Sequence, residues 1–150
     1  MNNWCKVNVE VSAEMPDIDV AAECASGRLV DITDQMARVG MERSVFVSKA
    51  SLQWVAEVAG ITEDQAEVGV TAMVGISLGD IADHVSCRNG VIDQNQFFRE
   101  THWKGSGWHE WAVTVLAWDP AKEETVAVWG FLDHMKALEL VHLQPGAGVS

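Results

Sequence analysis

Residues 62–86 read TEDQAEVGVTAMVGISLGDIADHVS and hold the most regular apolar pattern in the chain. Thr62 and Gln65 have the spacing of a capping box, in which a hydroxyl and an amide three residues later satisfy backbone N–H groups at a helix start. The apolar positions that follow at helical spacing are Ala66, Val70, Met73, Val74, Ile81 and Val85. The pattern predicts one long central helix over roughly residues 63–86. Gly69, Gly75 and Gly79 lie inside this helix, and each weakens it. Either another element packs closely against these glycines, or the helix breaks near Gly75.

Short strands and helices are predicted before this helix. Residues 6–11 alternate between valine and polar side chains, which indicates a half-buried strand, and a short helix follows Pro16 and ends near Gly27. Residues 45–47 predict another strand. Ser48 stands where a hydroxyl caps the next helix.

The sequence changes character after residue 90. Residues 95–104, 108–118 and 124–131 are rich in aromatic and β-branched types, and turn-forming stretches separate them. They predict a three-stranded antiparallel meander packed on the helices, followed by a helix over 133–142 and a frayed tail over 144–150. The α+β class is typical of chains in which the helices and most of the strands occupy separate parts of the sequence, as the strands predicted after residue 90 do here. The chain length favours a single domain over residues 1–150.

The charge balance restricts the kinds of partner. Twenty-two acidic and ten basic side chains give a net charge of −12, which repels phosphate backbones and argues against direct nucleic-acid binding. Basic protein partners remain compatible with it. Three widely spaced cysteines predict no disulfide framework, and the start of the chain lacks the pattern of a signal peptide. No apolar run suggests a membrane span, so we expect a cytoplasmic protein.

A cluster of tryptophan, histidine and acidic residues is the first candidate site. It occupies residues 100–111, and its candidate binding residues are Trp103, Trp108, Trp111, His102, His109 and Glu110. A two-residue turn would place His102 opposite His109, where two imidazoles are close enough to share a zinc ion. A three-residue turn would instead place His102 opposite Glu110, a pair that raises imidazole basicity. Cross-strand pairs that only stabilise a hairpin are the favoured interpretation.

A second cluster lies near the end of the long helix. Asp80, His84 and Cys87 follow one another at i, i+4 and i+7, so that they share one side of the helix as metal ligands or as a Cys–His pair. The favoured interpretation is structural, with His84 near the negative helix end and Cys87 as a small buried side chain. The phosphate-loop, dinucleotide, serine-hydrolase and zinc-protease motifs are absent. We therefore expect no cofactor and no metal, and assign no catalytic residue.

One part of the chain resembles a known family. Residues 21–33 read AAECASGRLVDIT, and ARVG at 37–40, VFV at 45–47 and Trp54 follow. Over residues 20–58 this resembles a small uncharacterised family encoded on plasmids, phages and other mobile elements. The C-terminal half departs from that family's pattern. The resemblance implies an accessory protein of mobile DNA and carries over no functional residue.

Three functions are compatible with these features. The favoured one is a non-enzymatic acidic interaction protein, a homo-oligomer or a modulator of a host protein, which uses a tryptophan-lined sheet face. The alternative is a small-molecule-binding domain or small enzyme, with a pocket between the hairpin and the helices and His102, His109 and Glu110 as its polar groups. The third is a DNA-mimic inhibitor, which requires two rows of carboxylates on one face.

Overall fold

The computed structural model describes residues 10–11, 15–41, 43–87, 91–92, 94–102 and 109–141. Most of the predicted first strand, the hairpin turn at 103–108 and the C-terminal tail lie outside these residues. The strands are β1 Glu10–Val11, β2 Leu29–Asp31, β3 Val45–Ser48, β4 Val91–Ile92, β5 Gln96–His102, β6 His109–Asp119 and β7 Glu124–Phe131. The helices are α1 Val20–Ala25, α2 Thr33–Ala37, α3 Lys49–Ala59, α4 Glu63–Cys87 and α5 Leu132–Ala137. The predicted mixture of α and β elements is confirmed.

The main sheet is larger than the predicted meander. Strands β5, β6 and β7 are antiparallel neighbours as predicted, but the sheet continues through β3 and β2 in the order β2-β3-β7-β6-β5. Strand β3 lies parallel to β7, with Phe46 opposite Val128, so the sheet is mixed. This position makes β7 a central strand, and its residues 126–131 are all buried. Continuous burial of this kind is typical of a strand covered on both faces.

Helices cover both faces of this sheet. On one face, the core side chains of α2, α3 and α4 pack with Leu116, Trp129 and Phe131. On the other face, α1 and α5 pack against Phe46 and Val115. Successive strand residues point to opposite faces, which is why one strand supplies both cores.

The long helix α4 is continuous, and its predicted start is confirmed. The backbone N–H of Thr62 donates to Gln65 Oε1 at 2.9 Å, and the N–H of Gln65 donates to Thr62 Oγ1 at 3.2 Å. Gly75 does not break the helix, which is continuous from Glu63 to Cys87. A Cβ at Gly75 would lie 3.8 Å from Met36 Cε of α2, an ordinary packing distance, so the neighbouring helix does not require a glycine at this position. Ser48 also caps α3 as predicted, accepting the N–H of Ser51 at 3.3 Å.

Helix α4 meets a length-and-composition test for a membrane span, contrary to the prediction that no apolar run suggests one. The segment runs from Glu63 to Val85. Val70, Val74 and Leu78 on its inner side are fully buried within the protein. About 39% of the segment is buried, and a single helix of this length and composition is weak evidence for a membrane, because a mostly buried core helix passes the same test.

The last helix is shorter than predicted. Helix α5 ends at Ala137 instead of continuing to residue 142. Glu139 adopts a φ of 59°, a left-handed conformation that cannot continue an α-helix. Leu140 is buried immediately afterwards against the α1 and α5 face of the sheet.

Candidate functional site

The register of the β5–β6 hairpin selects one of the two predicted arrangements. His102 lies opposite His109, Thr101 opposite Glu110, and Glu100 opposite Trp111. The arrangement with His102 opposite Glu110 therefore does not occur. Trp103 and Trp108 lie outside the described residues. Trp111 is half-buried.

This register does not bring the predicted polar groups to one point. Position 110 is on the opposite strand face from positions 102 and 109, because side chains alternate along a strand. Glu110 Oε1 accepts the N–H of Trp111 at 3.2 Å, and Thr101 Oγ1 donates to the Glu110 carbonyl at 2.8 Å. Within the described part of the chain, no group of three His, Cys, Asp or Glu side chains converges as a metal site.

The second predicted cluster borders a pocket between α4 and β5. Asp80 forms an ion pair with Arg99 of β5, and the His84 ring meets Phe97 edge-on with ring centres 5.7 Å apart. The Cys87 side chain lies outside the described residues. The pocket has a volume of about 260 Å³ and is lined by Ser77, Asp80, Ile81, His84, Gln94, Phe97, Phe98 and Arg99. Asp80 thus pairs with a cation of the chain itself, while aromatic and amide groups line the pocket.

A serine–histidine contact joins α3 to α5 and was not predicted. Ser51 Oγ lies 2.8 Å from His134 Nδ1, and it also accepts the N–H of Phe131 at 2.9 Å. Burial lowers the pKa of His134, although the carboxylates of Asp133 and Glu110 act in the opposite direction. Ser51 is fully buried, which places its hydroxyl out of reach of a substrate. The contact is therefore structural, and because the partners are 83 positions apart in the sequence, no local motif signals it.

Large apolar side chains are exposed on one side of α4 and at the end of α2. The exposed fractions are 74% for Val68, 53% for Ile76 and 64% for Val39. Val68, Ala72 and Ile76 are four residues apart, so they form one stripe along the helix, and Ala72 is exposed too. We call Val39, Val68, Ala72 and Ile76 the α2–α4 face.

A shallow pocket adjoins this face between the two helices. It has a volume of about 440 Å³ and is lined by Gln35, Arg38, Val39, Asp64, Glu67, Val68 and Thr71. Gln35 Nε2 donates to Glu67 Oε1 at 2.6 Å across it. Arg38 is exposed and forms no ion pair within the described residues. The face thus combines apolar side chains with a cation that is available to another molecule.

The described tryptophans do not form an exposed sheet face. Trp129 is 1% exposed and belongs to the core beneath α3 and α4. Trp54 is half-buried, and its ring packs edge-on against Phe131 with ring centres 5.0 Å apart. Among the described residues, the large apolar side chains that are exposed are the aliphatic Val39, Val68 and Ile76. In comparisons with protein families, curated proteins and solved structures, nothing matches this chain.

Proposed function

We propose that this chain is a non-enzymatic interaction protein that binds a protein partner, or a second copy of itself, on the α2–α4 face. The observation that carries the proposal is that Val68 and Ile76 of α4, and Val39 two residues after α2, are each more than half exposed, and that Val39 and Val68 line the same pocket. Contiguous exposed apolar surface of this kind marks interaction sites. Fully burying a valine or isoleucine side chain contributes roughly 1.5–3 kcal/mol, so a partner that covers the face gains affinity.

The arrangement of the polar groups supports a role other than catalysis. Ser51 is buried beside His134, and Asp80 is held by Arg99. A nucleophile must instead lie beside its base in a cleft that substrate enters. One observation supports the alternative function of a small-molecule-binding domain or small enzyme, namely the pocket of about 260 Å³ between α4 and β5.

The acidic surface supports a protein partner over nucleic acid. The net charge of −12 disfavours direct contact with phosphate backbones. Exposed carboxylates occur in both helical layers, for example Asp34 in α2 and Asp133 in α5, whereas a DNA mimic needs them in rows on one face. The resemblance over residues 20–58 supports an accessory role for mobile DNA.

Substitution within the face tests the proposed function. Val68→Asp places a charge at the most exposed of its apolar side chains, and Ala21→Asp is a matched control at an exposed position of α1 in the opposite layer. After chemical crosslinking in cells, we expect the wild type and Ala21→Asp to give the same crosslinked protein species, and Val68→Asp to lose them. Equal crosslinking by all three proteins would contradict the proposal.

A further inference from the structure

We propose that the pocket between α4 and β5 binds a small uncharged aromatic molecule that carries both a hydrogen-bond donor and an acceptor. This inference goes beyond the proposed function, since none of the residues that line this pocket belongs to the α2–α4 face. The volume of about 260 Å³ is slightly below the roughly 300–1,000 Å³ of pockets for drug-sized ligands. The pocket therefore accommodates a molecule of one or two rings.

Aromatic and aliphatic side chains form the apolar part of the pocket. The rings of His84 and Phe97 meet edge-on with centres 5.7 Å apart, and Ile81, which lines the same pocket, is 2% exposed. Aromatic rings prefer edge-on or offset contacts with other rings at centre distances of about 4.5–7 Å. Phe97 is half-buried, so a flat aromatic ring in the pocket can make such a contact while it covers the exposed part of this side chain.

Two uncharged polar side chains of the pocket are available to a ligand. Ser77 is 8% exposed and Gln94 is half-buried, and neither side chain forms a hydrogen bond to another described residue. By contrast, the hydroxyl of Thr71, earlier in α4, donates to the backbone carbonyl of Glu67 at 2.7 Å. A buried hydroxyl without a partner has lost the hydrogen bonds that it makes to water in the unfolded chain. A ligand that offers both a donor and an acceptor, such as a carboxamide, can hydrogen-bond to Ser77 and Gln94.

The charged groups of the pocket favour an uncharged ligand. Asp80 and Arg99 form an ion pair, and their side chains are 64% and 46% exposed, so the pair lies at the solvent side of the pocket. Each of the two charges already has a partner of opposite sign. A charged ligand would therefore lose hydration on entering the pocket without gaining an ion pair that is free of repulsion. The net charge of −12 disfavours an anion further.

Titration of the full-length protein with benzamide, followed by protein NMR, tests the ligand class. We expect a dissociation constant of about 1 mM or tighter, with the largest shifts at residues that line the pocket. Benzoate and benzylammonium change only the charge and should bind about tenfold more weakly, and cyclohexanecarboxamide, which lacks the aromatic ring, about threefold more weakly. Absence of benzamide binding at about 10 mM, or a matched probe that binds as tightly as benzamide, would overturn the proposal.

Substitutions in the pocket test whether benzamide binds there. Ser77→Ala and Gln94→Ala each remove one hydrogen-bonding group, and each should weaken benzamide binding about threefold to tenfold. Gln53→Ala is the matched control at an exposed position of α3 and should bind benzamide like the wild type. Circular dichroism melting confirms that each variant is folded. If both pocket variants bind benzamide as tightly as Gln53→Ala does, the proposal is wrong.

Val68→Asp separates this pocket from the larger one between α2 and α4. Val68 lines the pocket of about 440 Å³ and not the pocket of about 260 Å³, so Val68→Asp should bind benzamide like the wild type. Loss of benzamide binding in Val68→Asp would show that the probe occupies the larger pocket and would overturn the proposal. The crosslinking test of the proposed function uses neither benzamide nor the residues of this pocket, so the two can fail independently.

Discussion

Ser51 Oγ in the first turn of α3 lies 2.8 Å from Nδ1 of His134 in α5. The same oxygen accepts the backbone N–H of Phe131 at 2.9 Å, so its own hydrogen is available to the imidazole. One buried hydroxyl therefore joins α3, the end of β7 and the start of α5. The proposed interaction function depends on a folded protein, and α3, β7 and α5 are parts of the packing that supports the sheet and α4.

Replacing Ser51 by alanine should destabilise the fold. The Phe131 N–H would lose its acceptor in a buried place, which costs about 1–3 kcal/mol in the free energy of unfolding. Urea denaturation measures this change. Ser26→Ala is a suitable control, because Ser26 Oγ donates to Glu23 O at an exposed site and its loss should be nearly neutral. Equal effects of the two substitutions would show that the buried hydroxyl has no special role.

Stability should fall as the pH falls through the titration range of His134. Burial lowers the pKa of His134 from its ordinary value of 6.5, so the unfolded chain binds this proton more readily than the folded one. The stability that neutral His134 contributes is therefore present above 6.5 and is lost as the pH drops through the folded-state pKa. Unfolding free energies from about pH 8 to about pH 5 should show a smaller loss for His134→Gln than for the wild type. Identical pH dependence would contradict this.

Two glycine-to-alanine substitutions should have opposite effects. At Gly130 in β7, an added Cβ would lie 2.8 Å from Met135 Sδ and 2.9 Å from Ser48 Cβ, so Gly130→Ala should cost about 1–3 kcal/mol through overpacking. At Gly79 in α4, an added Cβ would have no atom within 4 Å apart from its chain neighbours and the backbone of its own helix, so Gly79→Ala should stabilise the helix by roughly 1 kcal/mol. Thermal melting should give a lower midpoint for the first variant and a higher one for the second. Shifts of the same sign would refute the assigned environments.

The capping box at the start of α4 should contribute measurably to stability. Thr62→Ala removes the hydroxyl that accepts the Gln65 N–H and should cost about 1 kcal/mol. Thr62→Ser keeps the oxygen and should retain most of the stability. Guanidinium denaturation of both variants checks this, and a loss in Thr62→Ser as large as in Thr62→Ala would exclude the hydrogen bond as the cause.

Local interactions made several elements predictable from the sequence. The caps at Ser48 and Thr62 act within three residues, so their side chains and backbone partners are visible in the printed order. The extent of α4 and the antiparallel strands β5, β6 and β7 likewise follow from periodicity and short turns. Periodicity did not identify the exposed side of α4, because apolar residues such as Val68 and Ile76 lie on it as well.

The sequence by itself determined the helix caps, the span of α4, the mixture of α and β elements and the acidic charge of the chain. Only the tertiary structure decided that β3 pairs in parallel with β7, that Ser51 meets His134 and that Val68 remains exposed while Val70 is buried. The physical reason is distance along the chain. Contacts between residues about eighty positions apart depend on how all the elements pack together, and no local pattern of side chains encodes that packing.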